Sequence, residues 1–477
     1  SLIVMGIPSF WMCGNVRRSR RRRIATLVLW CGRRATVQRA RPMLSLFGLL
    51  LGLALLIWLT MRGTELLIAA PLCALLVAAL SGFAPFPQLA AEGAPSFTTS
   101  YMRGFVDFVQ NWFFMFLLGS LFGKMMESTG AADSVANWIV ARLGAKHAVG
   151  AVVLACAVLT YGGVSLFVVA FSVYPMAVSL FRRADLPRRF IPATVAFGSV
   201  TFTMTSAGSP EIQNWIPIRF LGTTPYAGWE VSLVVAIFMF AVGQWWLVRT
   251  VRVAGARGER FEARFSDPEP HDRDLPPVWR GLVPLLIVLL ASFVLHKRLA
   301  ESALIVALGS GVLTALALNY RYAHRIAAAA TAGAVGALIA IANTAAVVGF
   351  GFVAKLTPGF QAAVDAMTSL PGSPLIGAAV AVSVIAGLTG SASGGQSIAL
   401  PLLAPHYLAQ GVDPEALHRV VAISSGGLDS LPHNGYVVTT IRSICGESYA
   451  AAYPAMGVLT VLVPVLGTAL AVALFSL

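Results

Sequence analysis

The sequence is poor in charge. Only 11% of its 477 residues are Asp, Glu, Lys or Arg, and just 20 of these are acids. A soluble chain keeps a charged surface in water, and a 57% hydrophobic content is more than one core can hide. Cysteine is scarce as well. The five, at 13, 31, 73, 156 and 445, show no CxxC spacing, which argues against a disulfide framework and against a zinc site. No Walker-type phosphate loop is present, and Gly349-Phe350-Gly351 is too common a pattern in apolar helices to mark a nucleotide site. No cofactor is therefore expected, and no sustained period of two suggests a membrane β-barrel.

What is abundant is apolar sequence in blocks of roughly 17–25 residues, the length with which a helix crosses a bilayer. Spans are predicted at 44–61, 65–81, 105–123, 190–206, 229–250, 280–296, 301–319, 328–355, 415–428 and 450–475. The expected fold is an all-α polytopic membrane protein, with the lipid bilayer as its constant partner. Two further stretches, 148–181 and 375–405, are interrupted by Gly, Ser and Pro. They read as re-entrant helical hairpins, since non-helical backbone survives at membrane depth only where protein or a wet cavity covers it. With the polar segment 252–279 as a cytoplasmic linker, eighteen Lys and Arg fall on its side and six, Arg419 among them, on the other. Residues 1–42 carry ten Arg and no acid. They read as a disordered extension outside the native fold rather than as a nucleic-acid arm, and no nucleic-acid partner is expected.

The two halves, 43–251 and 280–477, echo each other. With a shift of 229 residues, Gly130 falls on Gly359, Val153 on Val382 and Thr160 on Thr389; Gly162-Gly163 later meets Gly394-Gly395. The order of parts repeats too: spans, an amphipathic stretch, a broken hairpin, then a helix interrupted at a Ser/Pro/Asn cluster. About five crossings plus one hairpin per half is an odd number of crossings, so the repeats are expected to be inverted. That is the architecture of secondary transporters with a midplane site.

Four polar clusters mark that site. One hairpin tip holds Thr160, Tyr161, Gly162, Gly163 and Ser165; the first interrupted span holds Ser206, Ser209, Gln213 and Asn214. The second tip holds Thr389, Gly390, Ser391, Ser393, Gly394 and Gly395, and the second interrupted span holds Ser430 and Asn434. Glycine admits a ligand close to backbone, a broken helix offers N–H groups to a carboxylate, and neutral side chains suit hydroxyls. No Arg lies within these clusters, so neutral donors are expected to hold the anion. Asp429 and His433, four apart beside a break, are candidates to carry a coupling proton and to share one site. The bland alternative for each Ser or Thr is a hydrogen bond to its own helix, and for Asp429 and His433 a structural pair.

The run Gly426-Gly427-Leu428-Asp429-Ser430-Leu431-Pro432-His433-Asn434-Gly435, preceded by Leu388-Thr389-Gly390-Ser391-Ala392-Ser393-Gly394-Gly395, resembles the gluconate permease family of the ion transporter superfamily. The resemblance implies proton symport of gluconate or related hydroxy-carboxylates at the bacterial inner membrane. It also implies a homodimer in which a transport domain carrying both hairpins slides, elevator-like, against a scaffold. Thr205 to Asn214 is similar to members assigned to short hydroxy acids such as 3-hydroxybutyrate. A sodium-coupled carboxylate carrier or ion exchanger is the alternative within transport. An intramembrane serine protease using Ser393 and His433 is the alternative from another class, although Gly-x-x-Ser-Gly is not an esterase elbow. No enzymatic activity is expected.

Overall fold

The computed structural model describes residues 43–477 apart from 61, 63, 145–146, 266, 268–273, 323–325 and 369–372. The basic extension 1–42, and Lys146, Arg273 and Arg325 of the charge count, lie outside the described residues.

An apolar run that meets lipid must satisfy its backbone internally, and the helix does so within one segment. Accordingly the described residues form helices and no strand beyond one isolated bridge, Ala84 to Ser96. Eight of these helices are long and apolar enough to cross a membrane. The first half comprises α1 (Met43–Thr60), α2 (Leu66–Leu80), α3 (Phe97–Ser128), α4 (Ala131–Leu143), α5 (Ala148–Tyr161), α6 (Leu166–Arg183), α7 (Ile191–Ala196), α8 (Ile216–Leu221) and α9 (Trp229–Ala256). The second comprises α10 (Val278–Leu299), α11 (Ser302–Asn319), α12 (Ile326–Lys355), α13 (Pro358–Thr368), α14 (Pro374–Thr389), α15 (Ala392–Ala409), α16 (Pro414–Leu428), α17 (Gly435–Val438) and α18 (Tyr449–Phe475). The same order of long, short, paired and broken helices thus occurs twice.

Both interrupted stretches fold back on themselves. At about 1.5 Å per residue, α5 and α14 reach roughly 21 and 24 Å, short of a full crossing, before the chain reverses into α6 and α15. Unlike the expected short arm, α6 is itself one of the eight helices long and apolar enough to cross. The predicted span 190–206 stops early. After α7 it continues as a π-helical turn, Phe197–Thr201, and then leaves helix altogether. In the second half π-turns come after the break instead, at Thr439–Ile444 following α17 and at Val458–Leu462 within the last span. The third span exceeds its predicted 105–123 at both ends.

The halves pack as exchange partners. α3 lies along α12, its counterpart, while α2 contacts α12 as α11 contacts α3. Small residues bring these helices close: a methyl on Gly104 would sit 2.5 Å from Phe352 Cβ. Tyr101 donates to Ala346 O at 3.0 Å and Ser120 to Gly333 O at 2.8 Å, tying α3 to α12 across the two halves.

Charge gathers at one end of the molecule. Buried Arg188, just before α7, pairs with Glu447 at 2.8 Å and with Asp267 of the linker at 2.7 Å. Arg264 reaches the same Glu447 at 3.0 Å, and Arg182 reaches Asp267. Arg189 holds Glu259 through two bonds, at 2.6 and 2.9 Å. The linker is therefore clasped to the end of hairpin α5–α6 and to the turn between α17 and α18.

Candidate functional site

Each hairpin tip sits on the break of its own half. In the first half, Tyr161 donates to Ala207 O at 2.5 Å. Gly163 takes a left-handed φ of +93° beside Pro210, and a methyl on Gly162 would collide with Leu285 at 2.7 Å. Thr160 is fully buried with a hydroxyl that has no partner, and Ser165 begins α6 without a capping bond. In the break itself, Ser206 bonds back to Phe202 O, and Ala207 N–H is taken by Ser232 of α9. The Ser209 carbonyl accepts from Asn214 and from the indole of Trp215. Gln213 is buried with an unpartnered Oε1.

The second half repeats the plan with its own chemistry. Gly390, at φ +59°, ends α14, and the Asn434 amide reaches across to its carbonyl at 3.0 Å. Ser391 caps α15 by accepting from Gly394 N–H, and it lies 3.3 Å from the hydroxyl of Ser393. Thr389 bonds to the Ile385 and Ala386 carbonyls of its own helix. A methyl on Gly395 would fall 2.5 Å from Ala386 Cα, so the two arms touch at the tip. Gln396 of α15 donates to Ser425 of α16 and keeps a buried Oε1 free. In the break, Ser430 donates to Asp429 at 2.9 Å, and Tyr449 and Tyr453 of α18 donate to the Pro432 and Ser430 carbonyls.

The two breaks meet. A methyl on Gly426, at the end of α16, would lie 3.4 Å from the Thr205 methyl and 3.7 Å from Met204. Phe167 of the first hairpin stacks edge-on against Tyr436 of α17, with ring centres 5.5 Å apart. Besides the α3–α12 packing, the halves therefore also touch where the first break meets the end of α16 and where the first hairpin meets α17.

Comparison with known proteins settles the class. The chain is 35% identical over 453 residues to YxjC of Bacillus subtilis (strain 168), which is named as an uncharacterized transporter, with 86% of this chain and 94% of that protein covered. It belongs to this transporter family. A shorter match, 36% identical over 104 residues and 22% of each chain, links it to an uncharacterized transporter of Haemophilus influenzae. The solved YdaH transporter of Alcanivorax borkumensis superposes with a TM-score of 0.49 at 16% identity, covering 88% of this chain and 97% of that one. No family model matches. The protein is a multi-pass membrane transporter.

Several expectations need revision. The structural pair, the bland alternative for Asp429 and His433, is not formed: among the described residues no hydrogen bond or ion pair joins them. Their four-residue spacing would align them only on a helix, and α16 ends at Leu428. The His433 ring instead packs against Gly390, with Nε2 unpartnered. Ser393 has Ser391 rather than His433 as its hydroxyl partner, so the dyad a protease would need is not formed. Asn214 and Asn434 spend their side chains on the protein: Asn214 on Ser209 O and Pro225 O, Asn434 on Gly390 O, Asp429 O and the N–H of Val437. They shape the breaks.

The residue that sequence reasoning missed is Arg419. The charge distribution puts it on the side opposite the linker, yet its relative exposure is 0%. Its guanidinium lies under the first break, donating to Thr205 O at 2.7 Å, Asn214 Oδ1 at 2.8 Å, Ala227 O at 2.9 Å and Pro225 O at 3.2 Å. Its place inside the predicted span 415–428 was the available signal, because an Arg within an apolar span calls for a partner.

Proposed function

We propose that the protein imports gluconate or a related small hydroxy-carboxylate by proton symport across the bacterial inner membrane. The observation that carries this reading is a set of buried neutral groups with unused hydrogen-bonding capacity around the two joined breaks: Thr160 Oγ1, Gln213 Oε1, Gln396 Oε1 and His433 Nε2. Sixteen buried side-chain polar atoms lack a partner among the described residues, and these four stand out because one falls on each hairpin tip and one on each break. Such groups suit a ligand's hydroxyls, while N–H groups at the start of α15 suit a carboxylate. Asp429 supplies the proton site, because its carboxylate is buried and held by a hydroxyl rather than by a cation. In this reading α5–α8 and α14–α17 move as the transport domain against α1–α3 and α10–α12, and the scaffold forms a homodimer.

Uptake of labelled gluconate and 3-hydroxybutyrate into proteoliposomes tests the proposal. An inward proton gradient should drive accumulation that a protonophore abolishes. Accumulation driven by sodium and indifferent to the pH gradient would move the protein to the sodium-coupled alternative. Failure to take up either acid under both gradients would overturn the substrate class.

A further inference from the structure

Two arginines are buried among the described residues, and they are handled in opposite ways. Arg188, 5% exposed, has two carboxylates within 2.8 Å. Arg419, 0% exposed, has none: its four acceptors are three backbone carbonyls and one side-chain amide, all neutral. A guanidinium carries five N–H groups and keeps its proton in any protein environment, so one Nη2 N–H is left over and a full positive charge stays buried. The closest acid along the helix, Glu415, lies one turn earlier and attracts Arg419 electrostatically, but it is exposed and turns its carboxylate to Gly228 N–H rather than to the guanidinium. An unpaired buried charge costs several kcal/mol, and a fold that pairs Arg188 so fully would be expected to pair Arg419 were it purely structural.

The surroundings indicate what completes it. Arg419 grips the carbonyl of Thr205, where the first break begins, and reaches round to Ala227 and Pro225 behind it. Gly208, at φ +79°, lies on this break with Tyr226 so close that a methyl would meet the ring at 2.7 Å, and with the Tyr161 hydroxyl 3.4 Å away. Thus the first hairpin tip, the first break and α16 all converge over a buried cation. The opposite end of α16 carries Asp429, ten residues and roughly 15 Å further along the axis, likewise without a counter-charge. The first break thus lies over a cation that the second lacks, although it also carries a carboxyl of its own, Glu211, which among the described residues forms no ion pair with Arg419.

We infer that Arg419 is the fixed counter-charge for the substrate's carboxylate, so that the first break is the anion pole of the site and the second, with Asp429, is its proton pole. This rests on the carboxylate reading of the site and assigns that anion to one half of the repeat. Arg419 acts as a positioning residue: it charges the break and holds its carbonyls, so the anion is drawn by that charge, while the N–H groups of 206–209 are taken by Thr203 O, Ser232 Oγ, Pro225 O and Ser206 O.

The test is discrimination between charged and neutral ligands of one shape. Purified full-length protein is titrated with 3-hydroxybutyrate, its neutral amide 3-hydroxybutyramide, and butyrate, and binding is read by calorimetry. Wild-type protein should prefer the acid over the amide by at least tenfold. In Arg419→Gln that preference should fall to about one, and in Arg419→Lys, which keeps the charge but not the fork, most of it should return. The ratio does not depend on how much of the sample is folded, so a partly unstable variant still reports. Undiminished preference in Arg419→Gln, or equal loss in Gln and Lys variants, would reduce Arg419 to a structural brace and overturn the inference. If wild-type binds butyrate as well as 3-hydroxybutyrate and loses acid preference only on Arg419→Gln, the hydroxy-acid reading fails while the anion pole stands. Wild-type protein that prefers none of the acids over the amide overturns both.

Discussion

Asp429 sits where α16 ends, with Ser430's hydroxyl on one oxygen and no cation beside it. A carboxylate so placed is costly to keep charged in an apolar surrounding, which suits a group that exchanges a proton during each cycle. Replacing it by Asn removes the proton without changing shape. Asp429→Asn is therefore expected to abolish uphill, gradient-driven accumulation while leaving exchange of internal for external substrate measurable in loaded proteoliposomes. Undiminished accumulation would exclude Asp429 from coupling. At this scale the sequence was informative about residue type and less so about partnership. Asp429 stands out as an acid in an apolar run, but a four-residue spacing beside a break does not say whether its side chain meets that of His433, since α16 ends at Leu428 before either.

The helical hairpins owe their reversal to residues that let backbone touch backbone. Gly395 allows the arms of α14 and α15 to meet, since a Cβ there would lie 2.5 Å from Ala386 Cα and 2.8 Å from Ala386 N. Backbone cannot yield as a flexible side chain can. Gly395→Ala should cost about 1–3 kcal/mol through overpacking, seen as a lower melting temperature in detergent and as slowed uptake. Gly435→Ala is the control, because a methyl there meets nothing within 4 Å, and it should be close to neutral. Asn434 works at the same scale. Its Oδ1 caps α17 by accepting from Val437 N–H, while its amide staples the break to the hairpin tip. Asn434→Ala should lose about 1–2 kcal/mol for the cap alone, with the further loss of the staple loosening tip against break. Unchanged stability and uptake would show that the tip is held elsewhere.

On the scale of the whole molecule, the linker is more than a tether between repeats. It carries Glu259, Arg264 and Asp267 onto the end of the first hairpin and onto Glu447 near the end of the second half. Burial alone would raise the Asp267 carboxyl. The Arg264 backbone N–H and the Arg188 guanidinium outweigh it and hold that carboxyl below its ordinary range. The hydrogen bond from Arg189 likewise holds Glu259 low. A depressed folded-state value means that this stabilisation is present above the usual carboxylate range and is lost as pH falls through and below it. Melting temperature should accordingly drop on acidification, and Asp267→Asn should flatten that dependence. Glu447→Gln leaves Arg188 short of one charge partner in a buried place and is expected to cost about 3–5 kcal/mol, the figure for breaking a buried pair. A pH profile identical in wild-type and Asp267→Asn proteins would remove the clasp from the account of stability.

What the sequence determined by itself was the class of solvent, the class of fold and the places where helices fail. Apolar length answers to bilayer thickness, and glycine, serine and proline interrupt a helix through local stereochemistry, so both are written in short windows of chain. The tertiary structure alone decided which broken pieces face each other, that the two breaks meet at Thr205 and Gly426, and that Arg419 lies beneath the first of them. Those facts depend on residues some 200 positions apart. No local pattern records them, because burial and charge compensation are properties of packing between segments rather than of any one segment.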